Sequence, residues 1–328
     1  MSAIQLNECL TNTRIGVIGN GYLGQYHAEK YAAMDAVDLV GVVDIDARRA
    51  AEIAYRNNTQ AFTDFRDLIG GVDGVSIATP TPLHFEMGKA MLNAGIHVLI
   101  EKPISTSLEE ARVLIDLAES RKLILQVGHL ERFNPAVVAV QNMIKKPMFI
   151  ESHRLNIYSG RSTDVSVVLD LMIHDIDIIL NIVGSEVNSI HAAGAAVVSD
   201  HYDIANARIE FKTGCVANIT ASRISTKNQR KIRLFQKNGY IAIDFSKCEI
   251  THIEQTNAPK DAMIPGTEIH KFCFLKGDAL EEELRSFVEA VRACHEPVVT
   301  GRMGYKALSV ALDVMDKIDE STFRFGDL

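Results

Sequence analysis

A chain of 328 residues, 47% hydrophobic and 23% charged, is too apolar for a disordered protein and long enough for about two domains, each with its own core. Its net charge of −8 argues against a general nucleic-acid binder, which carries a basic surplus, while leaving room for an anionic ligand held by local positive charge. Five scattered cysteines (Cys9, Cys215, Cys248, Cys273, Cys294) form no C-x-x-C pair, so neither a metal site nor a disulfide framework is expected and reduced thiols in the cytoplasm are.

The N-terminal segment MSAIQLNECLTNTR lacks the basic start and apolar core of a signal peptide. No apolar run approaches the roughly 18 residues of a membrane span. From Arg14 to Val127, short runs rich in Val and Ile alternate with amphipathic segments. The runs are Arg14–Ile18, Leu39–Val43, Gly74–Ala78, His97–Ile100 and Leu123–Val127. Nearly continuous apolar runs are the mark of strands buried on both faces of a parallel sheet. The segments between them, Leu23–Met34, Asp46–Asn57, Phe85–Ala94 and Leu108–Ser120, read as helices, the last capped by Ser107. This predicts a doubly wound α/β domain over residues 1–127.

The pattern changes from residue 128. Helices are predicted at Pro135–Lys145 and Val167–Val183. Strands then follow one another: Ala205–Phe211 alternates, Lys212-Thr213-Gly214 turns, and Cys215–Ala221 returns. Asn238-Gly239, between Ile232/Leu234 and Ile241/Ile243/Phe245, is a strong hairpin signal. Two helices, Ala279–Cys294 and Gly304–Ile318, close the chain. Residues 128–328 therefore read as a second, α+β domain on a mainly antiparallel sheet.

The first strand runs into Gly19-Asn20-Gly21-Tyr22-Leu23-Gly24, a G-x-G-x-x-G opening a helix. Such a loop permits a tight turn, backbone approach to a pyrophosphate and close helix–strand packing, with the helix N-terminus facing the phosphates. Asp44 lies twenty residues beyond Gly24, placed for the ribose hydroxyls and repulsive to a 2′-phosphate, so NAD is favoured over NADP. Arg48 and Arg49 stand nearby and could reach a phosphate. Lys102, in Glu101-Lys102-Pro103, lies at the carboxyl edge of the sheet, where ligands bind. A cis bond at Pro103 would fix that turn. The loop Thr79-Pro80-Thr81-Pro82-Leu83-His84 lies at the same edge and could line the nicotinamide end.

Within an apolar stretch, Asp170 and His174 are four apart and share one helical face. A histidine beside a carboxylate suits removal of a hydroxyl proton during alcohol oxidation. The same pair would also serve as a structural hydrogen bond; Asp175 and Asp177 read as structural. Arg223, Lys227, Arg230, Lys231 and Arg233, within eleven residues, could serve a diphosphate or form a solvated hairpin.

Together, Gly19–Gly24 with His27, Asp44, Ala78-Thr79-Pro80, Glu101-Lys102-Pro103 and Asp170 with His174 resemble the glucose–fructose oxidoreductase, inositol dehydrogenase and rhizopine-catabolism family (Gfo/Idh/MocA) over essentially the whole chain. The resemblance implies an NAD-dependent oxidoreductase with catalytic Lys102, Asp170 and His174. It implies cofactor contacts from Gly19, Asn20, Gly21, Tyr22, Leu23, Gly24, Asp44, Thr79, Pro80, His84, Glu101 and Lys102, and a homo-oligomer, dimer or tetramer, built on the second domain's sheet. Whether Lys102 or His174 is the base stays open.

Gly128–Pro135, Gly160–Asp164 and Ala221-Ser222-Arg223 resemble more narrowly the family's UDP-N-acetylglucosamine 3-dehydrogenase branch. That implies oxidation of a sugar C3 hydroxyl for amino-sugar synthesis and a pathway aminotransferase as partner. It also implies substrate contacts from Lys102, Arg132, Asn134, Arg161, His174 and Arg223. Ser166-Val167-Val168 departs from the branch's usual glycine pair. The alternatives are a dehydrogenase of a free sugar, inositol or sugar phosphate, and a non-catalytic NAD-sensing regulator.

Overall fold

The computed structural model describes residues 12–160, 165–256, 263–275 and 277–325. It divides into two compact units, Met1–Gly128 with Leu280–Tyr305, and His129–Ala279 with Lys306–Leu328. The sequence reading had placed everything after residue 127 in the second domain. The segment Leu280–Tyr305 instead belongs with the first unit.

The first unit begins with β1 (Thr13–Ile18), α1 (Gly24–Ala32), β2 (Val37–Val43), α2 (Ala47–Arg56) and β3 (Gln60–Phe62). It continues with β4 (Gly74–Ile77), α3 (His84–Asn93), β5 (His97–Glu101), α4 (Leu108–Ser120) and β6 (Leu125–Gly128). All sheet pairings are parallel, in the order β3-β2-β1-β4-β5-β6. Ile15, Val17, Val75, Ile77, Val98, Leu99 and Ile100 are fully buried, which explains why these strands read as unbroken apolar runs. Asp46 and Ser107 cap α2 and α4 by accepting backbone N–H groups. The short β3 escaped the sequence reading because its residues are mostly exposed.

The second unit holds α5 (Pro135–Val140), β7 (Pro147–Ile157), α6 (Ile173–Val183), β8 (Val187–Ala195), β9 (Ile204–Phe211) and β10 (Val216–Ser225). Then come β11 (Gln229–Gln236), β12 (Gly239–Asp244), β13 (Glu249–Gln255) and β14 (Thr267–Cys273). The eight strands form one sheet in the order β14-β13-β12-β11-β7-β10-β9-β8. Every pairing is antiparallel except β7 with β10. One face carries Ile150, Ile219, Ile232 and Ile243 into a core shared with Met172 and Ile176. Asn238, at φ +62°, makes the tight turn of the β11–β12 hairpin.

Helix α7 (Ala279–Ala293) buries Leu284, Phe287 and Val288, and Phe287 lies against Gly74 of β4. That contact, with a hydrogen bond from Gln126 to the Glu283 carbonyl at 3.0 Å, ties α7 to the first sheet. Helix α8 (Gly301–Phe325) ends the described chain. No helix among the described residues is long and apolar enough to cross a membrane.

Candidate active site

In the first unit the glycine loop closes on itself. Gly19 has φ +89°, and a Cβ on Gly24 would stand 1.7 Å from the Gly19 carbonyl oxygen. These two positions therefore admit only glycine. A Cβ on Gly21, by contrast, would meet nothing within 4 Å. The space in front of it, at the start of α1, is where a pyrophosphate fits. Tyr22 and Leu23 complete the loop on its exposed side.

Asp44 is buried at the end of β2. Its Oδ2 accepts the Asn20 N–H at 2.9 Å and its Oδ1 the Asp46 N–H at 2.9 Å. Arg49 lies 3.3 Å from Asp44 Oδ2 and 3.9 Å from Asp46. This arginine, which could have served a 2′-phosphate, is held by two carboxylates. The Asn20 amide is buried with neither atom partnered among the described residues, a polar group available to a ligand.

A cavity of about 590 Å³ opens here, lined by Gly19, Gly21, Asp44, Thr79 and Pro80. It also touches Leu83 of the expected loop, and Ile45 and Met87, to which the sequence alone assigns no role. Ile45 is 94% exposed, and an exposed isoleucine directly after the ribose-side aspartate was the available signal. The shape and chemistry fit a dinucleotide.

At the other end of the sheet edge, the Lys102–Pro103 bond is cis. His84 ties the two loops together, with ring nitrogens 2.8 Å from the carbonyl oxygens of Pro103 and Thr79. Burial keeps its pKa below the ordinary histidine value, against the pull of both carbonyls and Glu101. Glu101 turns inward, 3.0 Å from His27 Nε2, and His27 Nδ1 lies 2.7 Å from Ser76 Oγ. Glu101, expected to contact the cofactor, thus has its carboxylate turned toward His27 in the interior of the unit.

In the second unit, Asp170 lies in a π-helical turn, Val168–Met172, that runs into α6. Ser166 Oγ accepts the Val168 N–H at 3.2 Å, and Val167 and Val168 are fully buried. The segment that departs from the glycine pair is therefore an anchored helix entry. The wider π turn changes the angular offset between Asp170 and His174 from that of an α-helix, so their spacing of four does not by itself put them on one face. His174 opens α6, and the buried His129 packs edge-on beside it, ring centroids 6.4 Å apart at 89°. His129 belongs to the Gly128–Pro135 motif, in which the sequence alone assigns it no role.

The other acids of α6 are structural. Asp175 takes Arg154 at 2.8–3.2 Å, and Arg154 also donates to Glu131 at 2.7 Å. Burial opposes these charges, yet the two carboxylates raise the guanidinium pKa and Arg154 keeps Glu131 below its usual range. Asp177 lies 3.6 Å from Arg132, which also donates to Asn181 at 2.9 Å.

The structure places the expected substrate residues as follows. Arg132 is buried in that pairing, although its Nε and Nη1 have no hydrogen-bond partner among the described residues. Asn134 caps α5 by accepting the Ala136 N–H at 3.1 Å. Arg223 is buried, donating to the Val165 and Tyr202 carbonyls, with Asp203 at 3.7 Å. Arg161 lies outside the described residues. The basic run on β11 is matched strand to strand: Lys231 with Asp244 and Arg233 with Glu151, both at 3.0 Å. It is a paired sheet surface, not a set of free phosphate donors.

Residues 13–129 match the oxidoreductase family with an NAD-binding Rossmann fold, and residues 138–242 match the GFO/IDH/MocA C-terminal domain. A UDP-N-acetylglucosamine 3-dehydrogenase of Acidithiobacillus ferrooxidans is 39% identical over 93% of this chain and 97% of its own. The chain belongs to the Gfo/Idh/MocA oxidoreductase family. It is thus an NAD-dependent oxidoreductase, as the glycine loop and Asp44 required. The solved structure of the Acidithiobacillus ferrooxidans enzyme superposes with a TM-score of 0.90 at 37% identity, covering 94% of this chain and 98% of that one. A myo-inositol 2-dehydrogenase of Thermotoga maritima is 27% identical over 94% of this chain and 96% of its own.

Proposed function

We propose that this family member oxidises the C3 hydroxyl of UDP-N-acetylglucosamine to a ketone. The observation that carries the substrate assignment is the 39% identity, extending over 93% of the chain, to an enzyme of that name. The product, a 3-keto sugar, suits consumption by an aminotransferase in amino-sugar synthesis, and the cytoplasm holds both NAD and nucleotide sugars.

Bound NAD supplies the hydride acceptor. Asp44 would hold its ribose hydroxyls, and the N–H groups at the start of α1 would take its pyrophosphate. His174 accepts the hydroxyl proton at a ring nitrogen and Asp170 supports the charged ring, while Lys102 Nζ serves the reaction as a hydrogen-bond donor. Arg132, whose buried Nε has no hydrogen-bond partner among the described residues, serves the ligand, with Asn134 and Arg223 beside it as expected substrate residues.

The test is NADH formation with UDP-N-acetylglucosamine, with N-acetylglucosamine and with myo-inositol, each pulled by a trap for the ketone. Turnover with the UDP-sugar alone is expected. Turnover with myo-inositol alone would replace this reading by that of the inositol dehydrogenases, which the likeness to the Thermotoga maritima enzyme favours.

A further inference from the structure

Behind the strand end that carries Lys102, polar residues from five elements meet in the interior of the first unit. They are His27 and Tyr31 from α1, Ser76 from β4, Glu101 from β5, Gln126 from β6 and Glu283 from α7; none is more than 8% exposed. His27 bridges Ser76 and Glu101, at 2.7 and 3.0 Å. The Tyr31 phenol lies by Ser76, Glu283 and Glu101. Gln126 donates to the Glu283 backbone at 3.0 Å. Three buried acceptor atoms, Glu283 Oε1 and Oε2 and Gln126 Oε1, have no hydrogen-bond partner among the described residues.

Two carboxyl groups sealed in one place cannot both be ionised. Glu101 has a counter-group in His27. Glu283 has none, and burial, followed by the charge on Glu101, raises its pKa well above the ordinary carboxylate range. Held neutral, Glu283 becomes a donor, and the charged group acting on it is the Glu101 carboxylate. The titratable groups facing it are Glu101 from β5 and Tyr31 from α1; His27 of α1 and His84 of α3 face Glu101 in turn.

We propose that Glu283 is a positioning residue for Lys102: a neutral carboxyl group that completes the hydrogen-bonded cluster around Glu101 and so fixes the strand end preceding Lys102. This rests on Lys102 acting in catalysis. A neutral buried acid is also an unusual requirement for a residue on a helix far along the chain from the glycine loop, and it explains why a glutamate occupies an otherwise apolar face beside Leu284 and Phe287.

The test compares Glu283→Gln and Glu283→Met with the parent chain, with NAD and UDP-N-acetylglucosamine as probes. Glu283→Gln, a neutral isostere, is expected to keep kcat within about threefold, because loss of the proton donor is made good by the amide. Glu283→Met is expected to lose about 10- to 100-fold in kcat with NAD affinity little changed, the scale of a small misplacement of a reacting group. A second readout is independent of turnover. The folded pKa of Glu283 is raised, so the stability its neutral form contributes is present at acid pH and lost as pH rises. The melting temperature of the parent protein should therefore fall relative to that of Glu283→Gln as pH rises above the ordinary carboxylate range. A pH-independent melting difference would overturn the neutral carboxyl even if Glu283→Met failed to fold. Wild-type kcat in Glu283→Met, or equal loss in both variants, would overturn the positioning role. Normal turnover in Lys102→Met would remove the catalytic reading of Lys102 and the positioning role with it, while the melting comparison would still report the state of Glu283.

Discussion

Lys102 follows a glutamate whose side chain is turned into the fold. The Lys102→Met variant is expected to bind NAD as the parent does and to lose about 10²- to 10⁴-fold in turnover, the usual worth of a positioned proton donor or acceptor. NAD titration beside single-turnover NADH formation checks it, and near-normal turnover would remove Lys102 from the mechanism. The glycines separate two physical reasons for the same residue. At Gly24 an added Cβ collides with the Gly19 carbonyl, so Gly24→Ala should lower the melting temperature and abolish NAD binding. At Gly21 the Cβ meets only open space, so Gly21→Ala should melt like the parent while NAD affinity falls. Equal melting losses in the two variants would contradict this division.

At the scale of elements, the second unit shows how buried charge organises a loop. Asp203 is fully buried ahead of β9 and accepts the N–H groups of Val197, Val198 and Ser199 at 2.7–3.1 Å and the Ser199 hydroxyl at 2.8 Å. Burial alone would raise its pKa, but these donors hold it down to about 2. A depressed folded pKa contributes stability above the ordinary carboxylate range that disappears as pH falls toward the folded value. Asp203→Asn should therefore cost about 2–3 kcal/mol at neutral pH, with the gap closing from about pH 5 to about pH 2. Chemical denaturation at several pH values would measure it; a gap that stayed constant would refute the assignment. The same element logic explains a strand missed in the sequence. β7 places Ser152 and Arg154 on the face that also carries Ile150, so its inner face does not alternate as an apolar strand should. Arg154 is tolerated there only because Asp175 and Glu131, from distant parts of the chain, meet it.

At the scale of the whole molecule, one face of the second sheet carries side chains that are only half-buried among the described residues. Strand register lines up Val216, Phe149, Phe235, Tyr240, Ile253 and Ile269 in a single row across that face. Phe149, Phe235 and Tyr240 touch ring to ring, at 5.9 and 5.1 Å between centroids, and Phe235 is 37% exposed. An apolar row of this length is expected to pair with a second copy of the chain. Sedimentation of the parent protein should show a dimer or tetramer and Phe235→Glu a smaller species; a monomeric parent would discard the interface.

What was legible in the sequence depended on local spacing. The glycine loop, Asp44, the parallel-strand runs and the Asn238-Gly239 hairpin are each set by neighbours within a few residues or one strand–helix unit, and there residue type alone fixes backbone geometry. The family resemblance added Lys102, Asp170 and His174, because their chemistry shows as motifs even where their geometry does not. The return of Leu280–Tyr305 to the first unit, the π turn under Asp170, the inward turn of Glu101 and the partners of Arg132 and Arg223 were decided only by tertiary structure. Each depends on which charges and apolar faces meet across long separations in the chain, and a buried charge takes its role from the group that neutralises it, not from its neighbours in sequence.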